Sequence, residues 1–106
     1  MKIMFVGDLN LGEYYTAFGH GPKSYHQKTG ESVFCKVKHI FDKADLVVGN
    51  LEAAITTNKE DPSDPERSVL RVHPSCAHQF AEAGVKLLQI ANNHIVQHGD
   101  EGFDET

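Results

Sequence analysis

The sequence lacks a basic excess, a long apolar run and any closely spaced cysteine pair, and each absence closes off a class of protein. Ten lysines and arginines stand against fifteen aspartates and glutamates, for a formal charge of −5. That balance gives no basic footprint, so no nucleic-acid partner is expected. No segment reaches the roughly 18 consecutive apolar residues of a membrane span. The apolar opening, Met1 to Val6, is too short for the core of a secretory signal, so the chain reads as soluble and cytoplasmic, with no membrane segment. Cys35 and Cys76 form no CxxC pair and, in a reducing compartment, read as free thiols. No repeat, low-complexity tract or linker interrupts the 106 residues, which leaves room for one small domain.

What is present is a recurring punctuation. Three short apolar runs each end in carboxylate, amide or imidazole: Lys2–Val6 before Gly7-Asp8-Leu9-Asn10, Asp45–Val48 before Gly49-Asn50-Leu51-Glu52, and Val85–Ala91 before Asn92-Asn93-His94. If the runs are parallel strands, all three polar clusters fall at the carboxyl edge of one sheet, where open α/β folds bind ligands.

The remaining pattern supports that reading. Residues 2–6 read as a buried strand and 7–31 as a long loop containing Gly19-His20-Gly21-Pro22. Val33, Phe34, Val37, Ile40 and Phe41 fall at helical spacing and predict an amphipathic helix over 32–42. Residues 45–49 are a second strand. Thr56 to Arg67, with Pro62 and Pro65, reads as an exposed excursion, and Ser68–Val72 as a short edge strand. Pro74 suits the first turn of a helix that Gly84 stops. Residues 85–91 are the third strand, and 102–106 begin another helix. Helices between strands imply parallel-sheet βαβ units and an α/β fold.

Asp8 and Asn10 set two oxygen donors on one turn; Asn50, Glu52 and Asn93 add three more, and His94 adds a ring nitrogen. Divalent cations take such donors, and a metal pair about 4 Å apart activates water and clamps a phosphoryl group. His94 beside it is placed to protonate a leaving oxygen. Each residue also has a plainer reading: Asp8 as a turn cap, Glu52 as a solvated acid, Asn92-Asn93 as turn formers, His94 as a partly buried, satisfied ring. The joint placement favours a site. Elsewhere, His20 could meet an anion or simply ride a flexible loop. Arg71 and His73 read as a solvated edge, Tyr14 and Tyr15 as packing, Cys35 as a small core residue. Cys76 falls in a first helical turn, where a thiol pKa is lowered. Lys59–Arg67 reads as a solvated loop.

Three motifs, Val6-Gly7-Asp8-Leu9-Asn10-Leu11-Gly12, Ala44-Asp45-Leu46-Val47-Val48-Gly49-Asn50-Leu51-Glu52 and Ile90-Ala91-Asn92-Asn93-His94, resemble those of the CapA-like family of bacterial capsule and poly-γ-glutamate synthesis proteins, itself similar to calcineurin-like metallophosphoesterases. Gly99 and Gly102–Thr106 resemble the family's next helix start. The resemblance spans nearly the whole chain. Its most specific part is the Gly-Asn-Leu-Glu and Ala-Asn-Asn-His pair, about forty residues apart with βαβ spacing between.

The resemblance implies that residues 1–106 are the amino-terminal part of a metallophosphoesterase-like α/β sandwich, a partial domain whose carboxyl-terminal part is missing. It implies Asp8 as a first metal ligand, Asn10 where many metallophosphoesterases carry histidine, Asn50 and Glu52 in the second carboxylate motif, Asn93 as a ligand and His94 as the catalytic residue beside the leaving group. The implied cofactor is a divalent ion (Mn, Fe, Zn or Mg), and the implied partner a phosphoester or an anionic polymer. Two departures stand out. Gln97, followed by His98, occupies a position where the family often has an acid, and the later histidine motifs fall beyond residue 106. A non-catalytic module that holds an anionic polymer is the second reading, and an inactive truncated product the third. A lone half-sheet would expose an edge and an apolar face, so self-association is expected too.

Overall fold

A computed structural model describes residues 1–106. In chain order the elements are β1 (Ile3–Leu9), α1 (Pro22–Thr29), α2 (Lys38–Phe41), β2 (Leu46–Leu51), β3 (Ala54–Ile55), α3 (Pro65–Ser68), β4 (Arg71–Val72), α4 (His78–Ala83), β5 (Val85–Gln89) and α5 (Gly99–Glu105). The three apolar runs form one parallel sheet in the order β1-β2-β5, and β3 pairs with β4 in a second, two-stranded parallel sheet. The α/β class and the parallel arrangement of the three punctuated strands are those the sequence pattern implies.

Several elements differ from the expectation. The loop read over 7–31 contains α1, with Pro22 at its first position and Gly30 closing it at φ 71°. No residue of α1 is buried, so it carries no apolar stripe that periodicity could detect. Conversely, the helix expected over 32–42 shrinks to α2. Phe34 and Phe41 turn inward, with the Phe34 ring 6.3 Å from that of Phe41 and 5.7 Å from that of Phe80, while Val37 and Ile40 stay exposed. Val33, Val37 and Ile40 are β-branched and resist continuous helix, and i→i+3 bonds such as Val37 N–H to Phe34 C=O take its place. Cys35 therefore faces solvent rather than the core.

The excursion after β2 is also more ordered than its composition suggests. Thr56 is fully buried. Asp64 caps α3 by accepting from the Glu66 N–H at 3.0 Å, with Pro65 at the first helical position. The expected edge strand becomes β4, whose two residues are both buried.

Leu9, Phe34, Phe41, Val47, Leu51, Phe80, Val85 and Ile95 belong to one core cluster on one side of the main sheet. The other side is open. In register across the strands lie Phe5, Val48 and Leu87, and Phe5 is 76 % exposed.

Gly12 fixes how the loop after β1 meets the second sheet. Leu70 N–H donates to Glu13 C=O at 2.9 Å, which draws Gly12 so close to β4 that a Cβ would lie 2.2 Å from the Arg71 carbonyl oxygen and 2.9 Å from its N and C atoms. All three are backbone atoms and cannot swing aside. Gly12→Ala is expected to cost about 3 kcal/mol, the upper part of the overpacking range. Urea unfolding checks this as a fall in midpoint at unchanged slope; an unaltered midpoint refutes it.

Candidate functional site

Strand register builds the site. From Phe5↔Val48 to Asp8↔Asn50, β1 advances one residue more than β2, a bulge at Val6-Gly7. Bulges re-aim the side chain that follows them, and here that residue is Asp8. β1 runs on through Leu9, so Asp8 sits within the strand end rather than in the turn beyond it. Gly49 permits the tight crossing alongside, because a Cβ there would stand 2.4 Å from Leu9 Cδ1.

A ladder of amides joins the three strand ends. Asn50 Nδ2 donates to Asp8 Oδ1 at 2.7 Å. Asn92 Nδ2 donates to Asn50 Oδ1 at 3.0 Å and to the Leu51 carbonyl at 2.9 Å. Asn92 Oδ1 in turn accepts the N–H groups of His94 and Ile95, at 3.0 and 3.1 Å. Asn92 is thus the residue that ties the turn after β5 to β2, a structural task that the plain reading of these asparagines as turn formers partly anticipates. Asn10 lies at the same edge but is folded into its own turn: its Oδ1 accepts from Gly12 N–H at 2.7 Å and its Nδ2 donates to Glu13 C=O at 3.3 Å.

Glu52 and His94 face one another, with Oε1 and Nε2 3.8 Å apart. That separation is too long for a hydrogen bond. Both side chains are one-quarter exposed. Asp8 and Asn93 are exposed at the same edge.

In kind, these donors suit a hard or borderline divalent cation: two carboxylates, an amide oxygen and an imidazole. In number they fall short, since no three His, Cys, Asp or Glu side chains gather as a metal-holding group. The residues therefore fit part of a coordination sphere, with the rest left to water, substrate or other segments.

Sequence reasoning misplaced three residues near this edge. Arg71, expected on a solvated edge, is only 2 % exposed. Tyr14 and Tyr15, expected in packing, are both exposed, in a T-shaped pair with centroids 5.8 Å apart, and the Tyr15 hydroxyl contacts Gln97 and Glu66. Glu13 was not singled out at all, yet it is buried and accepts from the N–H groups of Gly19, Gly21 and Ser24 and from the Ser24 hydroxyl, at 2.6 to 3.1 Å. Burial alone pushes its carboxyl up, but the Ser24 hydroxyl and the three N–H groups outweigh that and hold it below the usual glutamate value. The glycines at 19 and 21, which free the backbone to curl round an anion, were the available signal. His20 lines a separate cavity with Tyr25 and Lys36. The largest cavity, bounded by Lys23, His26, Glu60, His73 and Cys76, contains none of the strand-end residues.

A parallel sheet whose strands end in carboxylates, amides and an imidazole at one edge defines an α/β protein of the open-sheet type, the class in which ligands are bound at that edge. Comparison with known families makes this specific: the chain belongs to the family described as bacterial capsule synthesis protein PGA_cap, which matches residues 2–106. It is 29 % identical over 106 residues to the PGA biosynthesis protein CapA of Bacillus subtilis (strain 168), covering all of this chain and 26 % of that protein. It is 26 % identical over 110 residues to the capsule biosynthesis protein CapA of Bacillus anthracis, covering all of this chain and 25 % of that protein. The chain thus spans about a quarter of the length of the curated relatives it matches.

Proposed function

We propose that this chain supplies the strand-end portion of a divalent-metal site that works on an anionic, phosphoester-like bond in capsule or poly-γ-glutamate biosynthesis. The observation that carries the reading is the Glu52–His94 pair, a carboxylate oxygen and a ring nitrogen facing each other at 3.8 Å with no hydrogen bond between them, at the sheet edge where the exposed Asp8 carboxylate is tied to Asn50. Two carboxylates at a binding edge repel a polyanion unless a cation lies between them. That supports metal-dependent action over direct capture of a polymer.

In this reading Asp8, Glu52, Asn93 and His94 would hold the ion. Asn50, whose amide is engaged by Asp8 and Asn92, and Asn10, folded into its own turn, would orient the shell around it. A divalent ion bound there would polarise the oxygens of the anionic bond. The chain's own part is to fix the Asp8 carboxylate through Asn50 and to place the His94 ring against Glu52.

Titrating Mn²⁺ into the chain tests this. Asp8→Ala and Glu52→Ala are expected to weaken binding by more than the roughly tenfold that loss of an outer-shell partner such as Asn50 costs. Poly-γ-glutamate and a chromogenic phosphodiester are then offered with and without chelator. Metal binding indifferent to Asp8 and Glu52 sinks the proposal. Polymer binding that persists in chelator points instead to a non-catalytic module.

A further inference from the structure

His94 ends a chain of polar contacts that leads out of the site. Its Nδ1 lies 2.9 Å from Gln97 Oε1. Gln97 Nε2 donates to the Tyr15 hydroxyl at 3.0 Å, and that hydroxyl donates to Glu66 Oε2 at 3.4 Å.

The chain has one possible direction. An ionised glutamate only accepts hydrogen bonds, so Tyr15 donates outward to Glu66. Its oxygen then accepts from the Gln97 amide, which turns the Gln97 carbonyl toward His94. A carbonyl accepts, so His94 Nδ1 carries the proton. The other side of the ring agrees. Asn93 Nδ2 lies 3.3 Å from His94 Nε2, and an amide N–H facing a ring nitrogen requires a lone pair there. Burial and the Glu66 charge push the Tyr15 phenol up, so it stays protonated and able to donate.

We propose that Gln97, Tyr15 and Glu66 are positioning residues that lock His94 as the neutral Nδ1–H tautomer, so that Nε2 meets the site as an electron-pair donor and not as an acid. The inference rests on the strand-end site proposed above. It gives the departure at position 97 a physical meaning: a carboxylate there would end the chain of contacts, whereas the two-sided glutamine amide extends it to Tyr15 and Glu66. It also explains the open 3.8 Å gap between Glu52 and His94, since a carboxylate and a bare nitrogen attract only through a proton or cation placed between them. His94 is then a ligand or a proton acceptor.

Two-bond ¹⁵N–¹H correlation spectra of the metal-free chain, labelled at histidine, test this at about pH 8, where an ordinary imidazole is neutral. The wild-type His94 ring is expected to show a protonated Nδ1 and a lone-pair Nε2. Gln97→Leu and Tyr15→Phe are expected to move it toward the Nε2–H form that free histidine prefers, while Gln97→Glu, still an acceptor, preserves Nδ1–H. An Nε2–H ring in the wild type, or a ring unchanged in Gln97→Leu, overturns the proposal. No metal is present in these spectra, so a failed Mn²⁺ titration would remove the site reading without altering their outcome, and the reverse holds as well.

Discussion

Replacing Arg71 with methionine is expected to remove about 4 kcal/mol of stability, which in a domain of this size lowers Tm by on the order of 20 °C. The side chain is almost entirely enclosed. Its Nε donates to Arg67 C=O at 2.8 Å, its Nη1 to Asn58 C=O at 2.7 Å and Thr56 C=O at 3.4 Å, and its Nη2 to His98 Nδ1 at 3.0 Å. No carboxylate makes direct contact; the guanidinium is held by carbonyls and one ring nitrogen. Methionine fills a similar length but donates nothing, so partly shielded carbonyls lose a charged donor, each at about 1–3 kcal/mol. Those carbonyls belong to the segment after β3 and the ring belongs to the residue before α5, so the loss loosens both at once. Arg71→Lys keeps the charge but has no planar fork to reach four acceptors, and is expected to fall between. Thermal melting checks the order wild type, lysine, methionine. A methionine variant that melts within a few degrees of wild type would show that Arg71 is not the tie.

The same residue shows where sequence reasoning stops. β1, β2, β5 and the helical stretch after Pro74 were legible because each is an apolar run closed by glycine or by a polar cluster. Asp8, Asn50, Asn92 and His94 could be placed at one edge from that pattern alone, and the family resemblance read from those motifs is the one the comparisons establish. Arg71 was not legible, because burial of a cation depends on carbonyls contributed by Thr56 and Asn58 from irregular backbone and by Arg67 from α3. Local pattern carries no trace of that convergence. The over-long helix at 32–42 failed for a related reason: helical spacing of Val33, Val37 and Ile40 suggested a face, but only the aromatic contacts of Phe34 with Phe41 and Phe80 were realised. Gln97 was noticed only as a departure from a motif. Its partner Tyr15 comes from a segment 82 positions away, and only the fold brings them together.

Acid is expected to destabilise the chain in two separate steps, and Glu13→Gln is expected to remove the lower one. Glu13 has a folded pKa held below its unfolded value of about 4.3. Its contribution is therefore fully present above that value and is lost as pH falls through the lower folded one. His98 acts in a higher window. Burial, and then the Arg71 charge, lower its pKa, and its ring is held neutral, accepting from Arg71 and donating from Nε2 to Val69 C=O at 2.9 Å. The unfolded chain binds this proton first, so stability begins to fall as pH drops below about 6.5 and continues to fall through the depressed folded pKa. At neutral pH Glu13→Gln should cost about 3 kcal/mol. One carboxylate oxygen serves Gly19 and Gly21 and the other serves Ser24, so an amide NH₂ must face one of those donor sets whichever way it turns. Once pH falls through that depressed folded value the wild-type carboxyl becomes protonated and the two proteins should converge, while the His98 step remains in both. Urea unfolding of the pair across pH 3 to 8 reads this directly, and parallel curves over the whole range would refute it. The consequence reaches the site, because the loop that Glu13 gathers also carries Tyr15, and Tyr15 holds Gln97 against His94. A loop loosened by Glu13→Gln, at a pH where the imidazole is neutral, should therefore release the His94 tautomer well before the sheet itself unfolds.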